Sequence, residues 1–137
     1  MSPEQMEQQH IRLNIMLPTA IFIEIQVLQV RAESDTGEFC LKPRHIDYVT
    51  SLVPGILTYR NLQGEDNFVA IDGGVLVKVR GKVEIATRNA VAGELGELVD
   101  IVQQMQQEYD DREKASRSAA AKLEIGFLKQ FSRLGSQ

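Results

Sequence analysis

Apolar and polar residues alternate along the first two thirds of the chain. Successive side chains of a strand point to opposite faces, so this period of two predicts strands with one buried face. The clearest segment is 21–27, whose shared face carries Ile21, Ile23, Ile25 and Val27. Shorter segments predict further strands at 12–17, 39–41, 56–60, 67–71, 75–79 and 83–87.

Turn-forming residues separate these predicted strands. Glycine, proline, aspartate and asparagine are typical of tight turns, and they occur at 34–37, 54–55, 63–66, 72–74 and 80–82. Many short strands joined by such turns indicate an antiparallel sandwich or barrel rather than βαβ units.

The pattern changes near Ala92, beyond which the chain contains no proline and the apolar residues follow helical spacing. The first apolar stripe contains Leu95, Leu98, Val99, Val102, Met105 and Tyr109; the second contains Ala120, Leu123, Phe127, Leu128, Phe131 and Leu134. We therefore predict a polar tail at 1–10, a β domain at 11–91 and a helical domain at 92–137, with helices at about 94–110 and 116–134.

The polar segment 110–118 decides between two arrangements of the helical domain. A single helix of some 40 residues is far longer than usual. Two helices are therefore favoured, and Ser116 or Ser118 would cap the second. One long helix is the alternative, because the polar segment contains neither glycine nor proline.

Charge differs between the two predicted helices. Acidic side chains dominate up to Glu113, whereas the later segment is basic, with Lys114, Arg117, Lys122, Lys129 and Arg133 against Glu124. Either the two helices pair with each other, or the basic one meets an acidic surface elsewhere. A solvated charged face would explain each run separately, and for any single residue it is the better explanation.

Composition excludes several classes of function. The net charge of −4 and the pI near 5.2 argue against non-specific nucleic-acid binding, which requires a positive surface. No apolar run is long enough to span a membrane, and the polar start is unlike a signal peptide. We expect a cytoplasmic protein that reaches a membrane only through a protein partner, without direct insertion.

The sequence contains no convincing catalytic or metal site, and we expect no cofactor. His10 and His45 have no nearby cysteine or histidine at ligand spacing. No Gly-Lys-Ser/Thr follows Gly73–Gly74, so a tight turn explains these glycines better than a phosphate cradle does. Cys40, the only cysteine, is flanked by apolar residues, which indicates a buried, inert thiol. A small acidic protein of this kind usually acts by contact.

Three segments in this order, Asp35–His45, Leu52–Leu57 and Phe68–Leu76, closely resemble the signature run of ATP synthase epsilon subunits. The shared pattern is an acidic-glycine turn, an apolar strand, a Pro-x-His loop, a Pro-Gly strand entry and a Gly-Gly turn into an apolar strand. The order and spacing match from Leu13 to about Ala92, and helices follow as they do in the family.

The resemblance implies an antiparallel ten-stranded β-sandwich followed by a two-helix domain. It also implies a non-catalytic central-stalk subunit of an F-type ATP synthase that couples the gamma subunit to the c-ring. Its place would be peripheral, on the cytoplasmic side of the bacterial inner membrane. Carried over by position, Glu38 is the candidate partner of the polar c-ring loops, with Asp35, Arg44 and His45 close by. The alternative is that Glu38 is merely a turn residue.

In this family the helices regulate, and the resemblance implies that they obstruct ATP hydrolysis when they extend to the catalytic alpha and beta subunits. The candidate contacts with this catalytic head are Arg117, Lys122, Lys129 and Arg133. Some members bind ATP at the start of the helical domain through an arginine, which is replaced here by Asp100. Because a carboxylate repels phosphate, we predict no nucleotide binding there.

The segment Pro43–Thr50 and the longer polar start resemble an alternative, sodium-translocating subgroup of these synthases. Ion choice, proton or sodium, is made in the c-ring carboxylate site, which this chain does not contain. A different function that fits the same pattern is a free-standing β-sandwich module that binds an unrelated partner.

Overall fold

The computed structural model of the chain describes residues 9–135, with side chains up to residue 129. Within this range it contains seven strands and one helix. The strands are β1 (Ile11–Met16), β2 (Ile21–Ser34), β3 (Gly37–Leu41), β4 (Tyr48–Asn61), β5 (Asp66–Val79), β6 (Lys82–Ala86) and β7 (Ala90–Gly93). The helix that follows is α1 (Leu95–Gly135).

Five of the strands form a closed, barrel-like sandwich. Their pairing runs β1–β6–β5–β4–β2, and β2 pairs again with β1, which completes the ring; β3 adds to β2, and β7 adds to β5. The β1–β6 pair is parallel, in register from Arg12 with Lys82 to Met16 with Ala86. A purely antiparallel sheet, as predicted, is therefore wrong at this one pair, where two strands far apart in sequence close the ring.

The β-sandwich expectation is confirmed, but the described residues contain seven strands where ten were expected. The count is lower because β2, β4 and β5 each run for 14 residues without interruption. The segments 67–71 and 75–79, predicted as two strands, are both parts of β5.

A glycine pair bends β5 where a turn was predicted. Gly73 and Gly74 have positive φ angles of 70° and 129°, which favour glycine. A Cβ at Gly74 would overlap the carbonyl oxygen of Ala86 on the adjacent β6. On the other side, the β4 ladder continues past the bend, with Leu52 opposite Gly74 and Pro54 opposite Asp72. The predicted turns at 54–55 and 72–74 are therefore one shared bend within paired strands.

The core fills the inside of the closed sheet. Ile11, Leu13 and Ile15 on β1 are fully buried, and they pack with inward residues of the other strands, including Leu57, Leu76 and Ile85. The predicted buried face of segment 21–27 is only partly correct. Val27 is buried, but Ile21 and Ile25 are 61% and 38% exposed.

The first turns of α1 belong to the same compact unit as the sandwich, which extends to Gln106 and so past the predicted domain boundary after residue 91. A second buried cluster joins this part of the helix to the sheet through Ala70, Leu98, Val102 and Met105. Gln106 Nε2 also donates a hydrogen bond to the Pro54 carbonyl oxygen at 3.2 Å. Glu94 and Glu97, near the positive end of the helix dipole, favour the start of α1.

The helix α1 is continuous, and the prediction of two helices is wrong for this structure. Side chains four residues apart link the polar segment in which the break was predicted. Gln107 donates to Asp111 and Tyr109 donates to Glu113, each at 3.1 Å, and Arg117 forms an ion pair with Glu113 at 3.6 Å. Each such pair stabilises a helix by roughly 0.2–0.5 kcal/mol. The residues from Gln107 onward form a second unit.

Candidate functional site

The turn between β2 and β3 presents two acidic side chains on a fixed backbone. Ser34 Oγ donates to the Gly37 carbonyl oxygen at 3.1 Å and accepts from the Thr36 backbone N–H at 3.2 Å. Asp35 and Glu38 are both exposed. These bonds within the turn hold its backbone, so that both carboxylates project from a defined position.

The register of β2 and β3 places a further carboxylate beside this acidic turn. Glu33 on β2 lies directly opposite Glu38 on β3, so the two exposed carboxylates share one face of the sheet. Like charges in this arrangement destabilise a sheet. The pair is therefore not a source of fold stability.

The loop between β3 and β4 carries Arg44 and His45. A turn closes it, in which the His45 backbone N–H donates to the Lys42 carbonyl oxygen at 3.0 Å. The His45 ring lies edge-on to Tyr48, with 5.7 Å between ring centroids. Arg44 is exposed, His45 is half-buried, and Ile46 between the loop and β4 is 78% exposed.

Lys78 on β5 holds the β3–β4 loop through a hydrogen bond to a backbone carbonyl oxygen. Its side chain is fully buried, and Nζ donates to the carbonyl oxygens of His45 and Arg80, each at 2.6 Å. Burial lowers the pKa of the Lys78 ammonium, and the charge of Asp47 acts in the opposite direction. Asp47 Oδ1 in turn accepts the Arg80 backbone N–H at 3.0 Å.

The sequence contained a signal for Lys78 that was missed. It falls in the alternating run 75–79, at the same inward phase as Leu76. A lysine at an inward position of a strand requires polar partners inside the protein, because a buried ammonium without them is strongly unfavourable. Asp47 was likewise not singled out.

The structure divides the four predicted c-ring contact residues between two places. Asp35 and Glu38 lie at the start of β3, whereas Arg44 and His45 lie beyond its end. Five residues of β-strand span roughly 14 Å between their ends. The β2–β3 turn and the β3–β4 loop are therefore two separate surfaces joined by one short strand.

An exposed apolar surface, here called the valine strip, runs across β4 and β5. Val49, Val75 and Val79 are 67%, 47% and 48% exposed. Val49 lies opposite Val77, and Val75 lies opposite the exposed Ala86 on β6. Neighbouring exposed apolar side chains form an apolar patch, and large patches of this kind are typical of protein-binding surfaces.

The later part of α1 exposes both basic and apolar side chains. Lys122 and Lys129 are exposed and seven residues apart, which places them on the same side of the helix. Arg117 is exposed but paired with Glu113. The side chain of Arg133 lies outside the described part. Exposed apolar residues here are Leu123, Ile125, Phe127 and Leu128.

The described side chains offer no arrangement for metal chemistry, since no three or more His, Cys, Asp or Glu residues among them are grouped to hold a metal ion. Cys40 is half-buried rather than fully buried. In the part of the chain that the structure covers, α1 is too polar to cross a membrane, and no helix meets that requirement. Asp100 is exposed on the first part of α1.

Comparison with known proteins shows which protein family this chain resembles. Residues 10–93 match the family described as ATP synthase, delta/epsilon chain, beta-sandwich domain. ATP synthase epsilon chain 2 of Cereibacter sphaeroides is 32% identical over 124 residues, which cover 88% of this chain and 85% of that protein. ATP synthase epsilon chain 2 of Paraburkholderia xenovorans is 34% identical over 86 residues, 61% of this chain and 62% of that protein.

A similar fold occurs in a chain of the Euglena gracilis mitochondrial ATP synthase structure. The TM-score is 0.60 at 23% sequence identity, with 70% of this chain and 63% of that chain covered. At this identity the likeness concerns the fold.

Proposed function

The chain belongs to the epsilon chains of F-type ATP synthases, and from this premise we propose that it is a central-stalk subunit coupling the gamma subunit to the c-ring in ion-driven ATP synthesis. It is a non-catalytic member of the complex. The observation that carries the proposal is the family match over residues 10–93, which takes in the whole closed sandwich.

The two charged surfaces of the sandwich are the proposed c-ring contacts. Asp35 and Glu38 project from the β2–β3 turn, and Arg44 and His45 from the β3–β4 loop. Charged groups on rigid turns contribute register and partner specificity more than raw affinity. The unfavourable Glu33–Glu38 pairing supports this role, because a basic or polar partner would relieve it.

The valine strip is the proposed gamma contact. Burial of apolar area is the main favourable term in stable protein association. An apolar face on the strands and charged groups on the turns together suit a subunit held between two different partners.

The later part of α1 is the proposed regulatory element. Lys122, Lys129 and Arg133, with Arg117 nearby, would contact acidic segments of the alpha and beta subunits in an extended state. The continuity of α1 through residues 110–118 supports such a state, in which ATP hydrolysis is obstructed. A folded helical pair would then be the permissive state, and the two would differ by a few kcal/mol.

The proposed location is peripheral, on the cytoplasmic side of the bacterial inner membrane. The transported ion, proton or sodium, is selected in the c-ring rather than by this chain.

The test is co-purification of the full chain with the gamma subunit and the c-ring from the same source. We expect a stable ternary assembly, and Glu38→Lys should weaken its c-ring contact. Glu65→Lys is the matched control, because Glu65 is equally exposed but lies in the β4–β5 turn. Failure of the native chain to join gamma and the c-ring would instead favour a free-standing interaction module.

A further inference from the structure

We propose that Lys78 is a positioning residue that holds the β3–β4 loop in the conformation required for contact with the c-ring. This inference rests on the proposed function for the choice of partner. The positioning itself stands on contacts within the first compact unit.

The Lys78 ammonium joins two segments that are far apart in sequence. Through the His45 carbonyl it holds the β3–β4 loop, and through the Arg80 carbonyl it holds the turn between β5 and β6. Asp47 completes the connection from the loop side by accepting the Arg80 backbone N–H. Three hydrogen bonds therefore tie the loop to this turn, and each involves a charged side chain.

The turn that is held in this way has an unfavourable backbone conformation. Arg80 has a φ angle of 55°, in the left-handed region that side chains other than glycine rarely adopt. Its N–H and its C=O are both bound, by Asp47 and Lys78 respectively. The surrounding contacts thus fix a conformation that the residue itself does not favour.

Stability of the sandwich does not explain a lysine at this position. The neighbouring inward residues, such as Leu76 and Val83, are apolar and fully buried. Burial disfavours the ammonium, as the lowered pKa of Lys78 shows. Burial of a charge costs free energy that an apolar side chain at the same position would not incur. The lysine is therefore better explained by what it binds, the carbonyls of the loop and the turn.

Amide hydrogen exchange on the full chain tests the positioning directly. In Lys78→Met, the amides of His45 and Arg80 should exchange about tenfold faster or more. The two carbonyls that Lys78 holds are released, so the loop and the turn open more readily and break the bonds from these amides to the Lys42 carbonyl and to Asp47. The amide of Leu76 should be unchanged. Lys82→Met is the matched control, since Lys82 is exposed on the adjacent strand, and it should alter none of these amides. Unchanged exchange at His45 and Arg80 in Lys78→Met, or equal acceleration throughout β5, would overturn the proposal.

Asp47→Ala provides a second variant that leaves the buried position intact. Asp47 is exposed, and its removal should speed exchange at Arg80 while the melting temperature changes little. If Arg80 exchanges at the native rate in this variant, the loop is not tied to the turn as proposed.

The functional consequence is measured as affinity for a complex of gamma and the c-ring. Lys78→Met should bind about threefold more weakly or worse, because the loop must then be ordered on binding. The melting temperature is measured beside it, so that weaker binding by a folded variant is distinguished from loss of the fold. Equal affinity of Lys78→Met and the native chain would overturn the role in c-ring contact. Absence of binding by the native chain itself would contradict the proposed function, whereas the exchange results would still decide the positioning.

Discussion

Glu33 and Glu38 lie directly opposite each other on β2 and β3, with both carboxylates exposed on one face of the sheet. Neutralising either carboxylate removes the same repulsion, so Glu33→Gln and Glu38→Gln should each stabilise the fold by roughly 0.2–1 kcal/mol. Urea unfolding of the isolated chain measures this gain.

The same two variants should differ in assembly. Glu38→Gln should weaken the contact with the c-ring more than Glu33→Gln does, because Glu38 is the proposed direct contact and Glu33 acts only through the repulsion that the partner relieves. A loss of stability in both variants would show that the carboxylates do not repel each other. Equal c-ring affinity in both would remove Glu38 from the contact.

The bend in β5 should tolerate no side chain at Gly74. Gly74→Ala should destabilise the fold by about 3 kcal/mol or more, because backbone strain at a positive φ adds to overlap with the Ala86 backbone. Gly96→Ala is the control. Gly96 has open space around it and lies in the first turn of α1, so this change should stabilise by about 0.4–1 kcal/mol. Thermal unfolding that ranks the two variants in the opposite order would contradict the close approach of β5 and β6.

Buried Lys78 predicts a specific dependence of stability on pH. Its pKa in the folded protein is lowered, so in the range just below the ordinary lysine pKa the unfolded chain binds more protons than the folded one. Stability contributed by Lys78 therefore rises with pH through that range. Burial raises the pKa of Tyr59, which has the opposite effect above the ordinary tyrosine pKa.

Comparison of the native chain with Lys78→Met separates these two effects, because both proteins retain Tyr59. The native chain should gain stability relative to the variant as pH rises from 8 to about 10. Urea unfolding at several pH values measures the difference. A difference that is constant or falls with pH would mean that the Lys78 pKa is not lowered.

Two changes in the later part of α1 should have opposite effects on ATP hydrolysis. Deletion of Ser116–Gln137 should raise ATP hydrolysis by the assembled enzyme. Gly126→Ala should lower it, because alanine in place of glycine stabilises a helix by about 1 kcal/mol, and nothing lies within 4 Å to obstruct a methyl group. Thermal melting followed by circular dichroism would measure the gain in helix stability. Unchanged hydrolysis in both variants would remove the regulatory role while leaving the stalk role intact.

Asp100 predicts that the isolated chain does not sense ATP. The carboxylate is exposed on α1, where it would repel the phosphates. Isothermal titration with ATP should give no saturable heat. Tight, saturable binding that depends on the residues around Asp100 would contradict this prediction.

The alternation of apolar and polar residues predicted most of the strands, but not where each strand begins and ends. Segment 83–87 corresponds closely to β6, because its apolar residues alternate in the expected way. The strand β7 was missed, since Ala90–Gly93 consists of small residues and valine with no alternation. Gly73 and Gly74 were interpreted as a turn because the sequence does not show that the β4 ladder continues opposite them.

Which residues lie on the surface could not be predicted from the alternation alone, because exposure depends on tertiary packing. Ile25 and Val27 occupy the same phase of β2, yet Ile25 is exposed and Val27 is fully buried, because burial depends on which neighbours cover each position. The bond from Lys78 to His45 joins residues 33 positions apart. The β4–β5 ladder places Tyr48 opposite Lys78 and so brings the nearby His45 within reach of the lysine, a register that no local sequence pattern shows.

The parallel pairing of β1 with β6 has a mechanical consequence. Because β1 is bonded to β2 on one side and to β6 on the other, none of the five ring strands is a terminal strand that could be peeled away by itself. A force that pulls one of these strands out of the sheet must break its hydrogen bonds to two neighbouring strands at once. The ring therefore resists opening at a single edge.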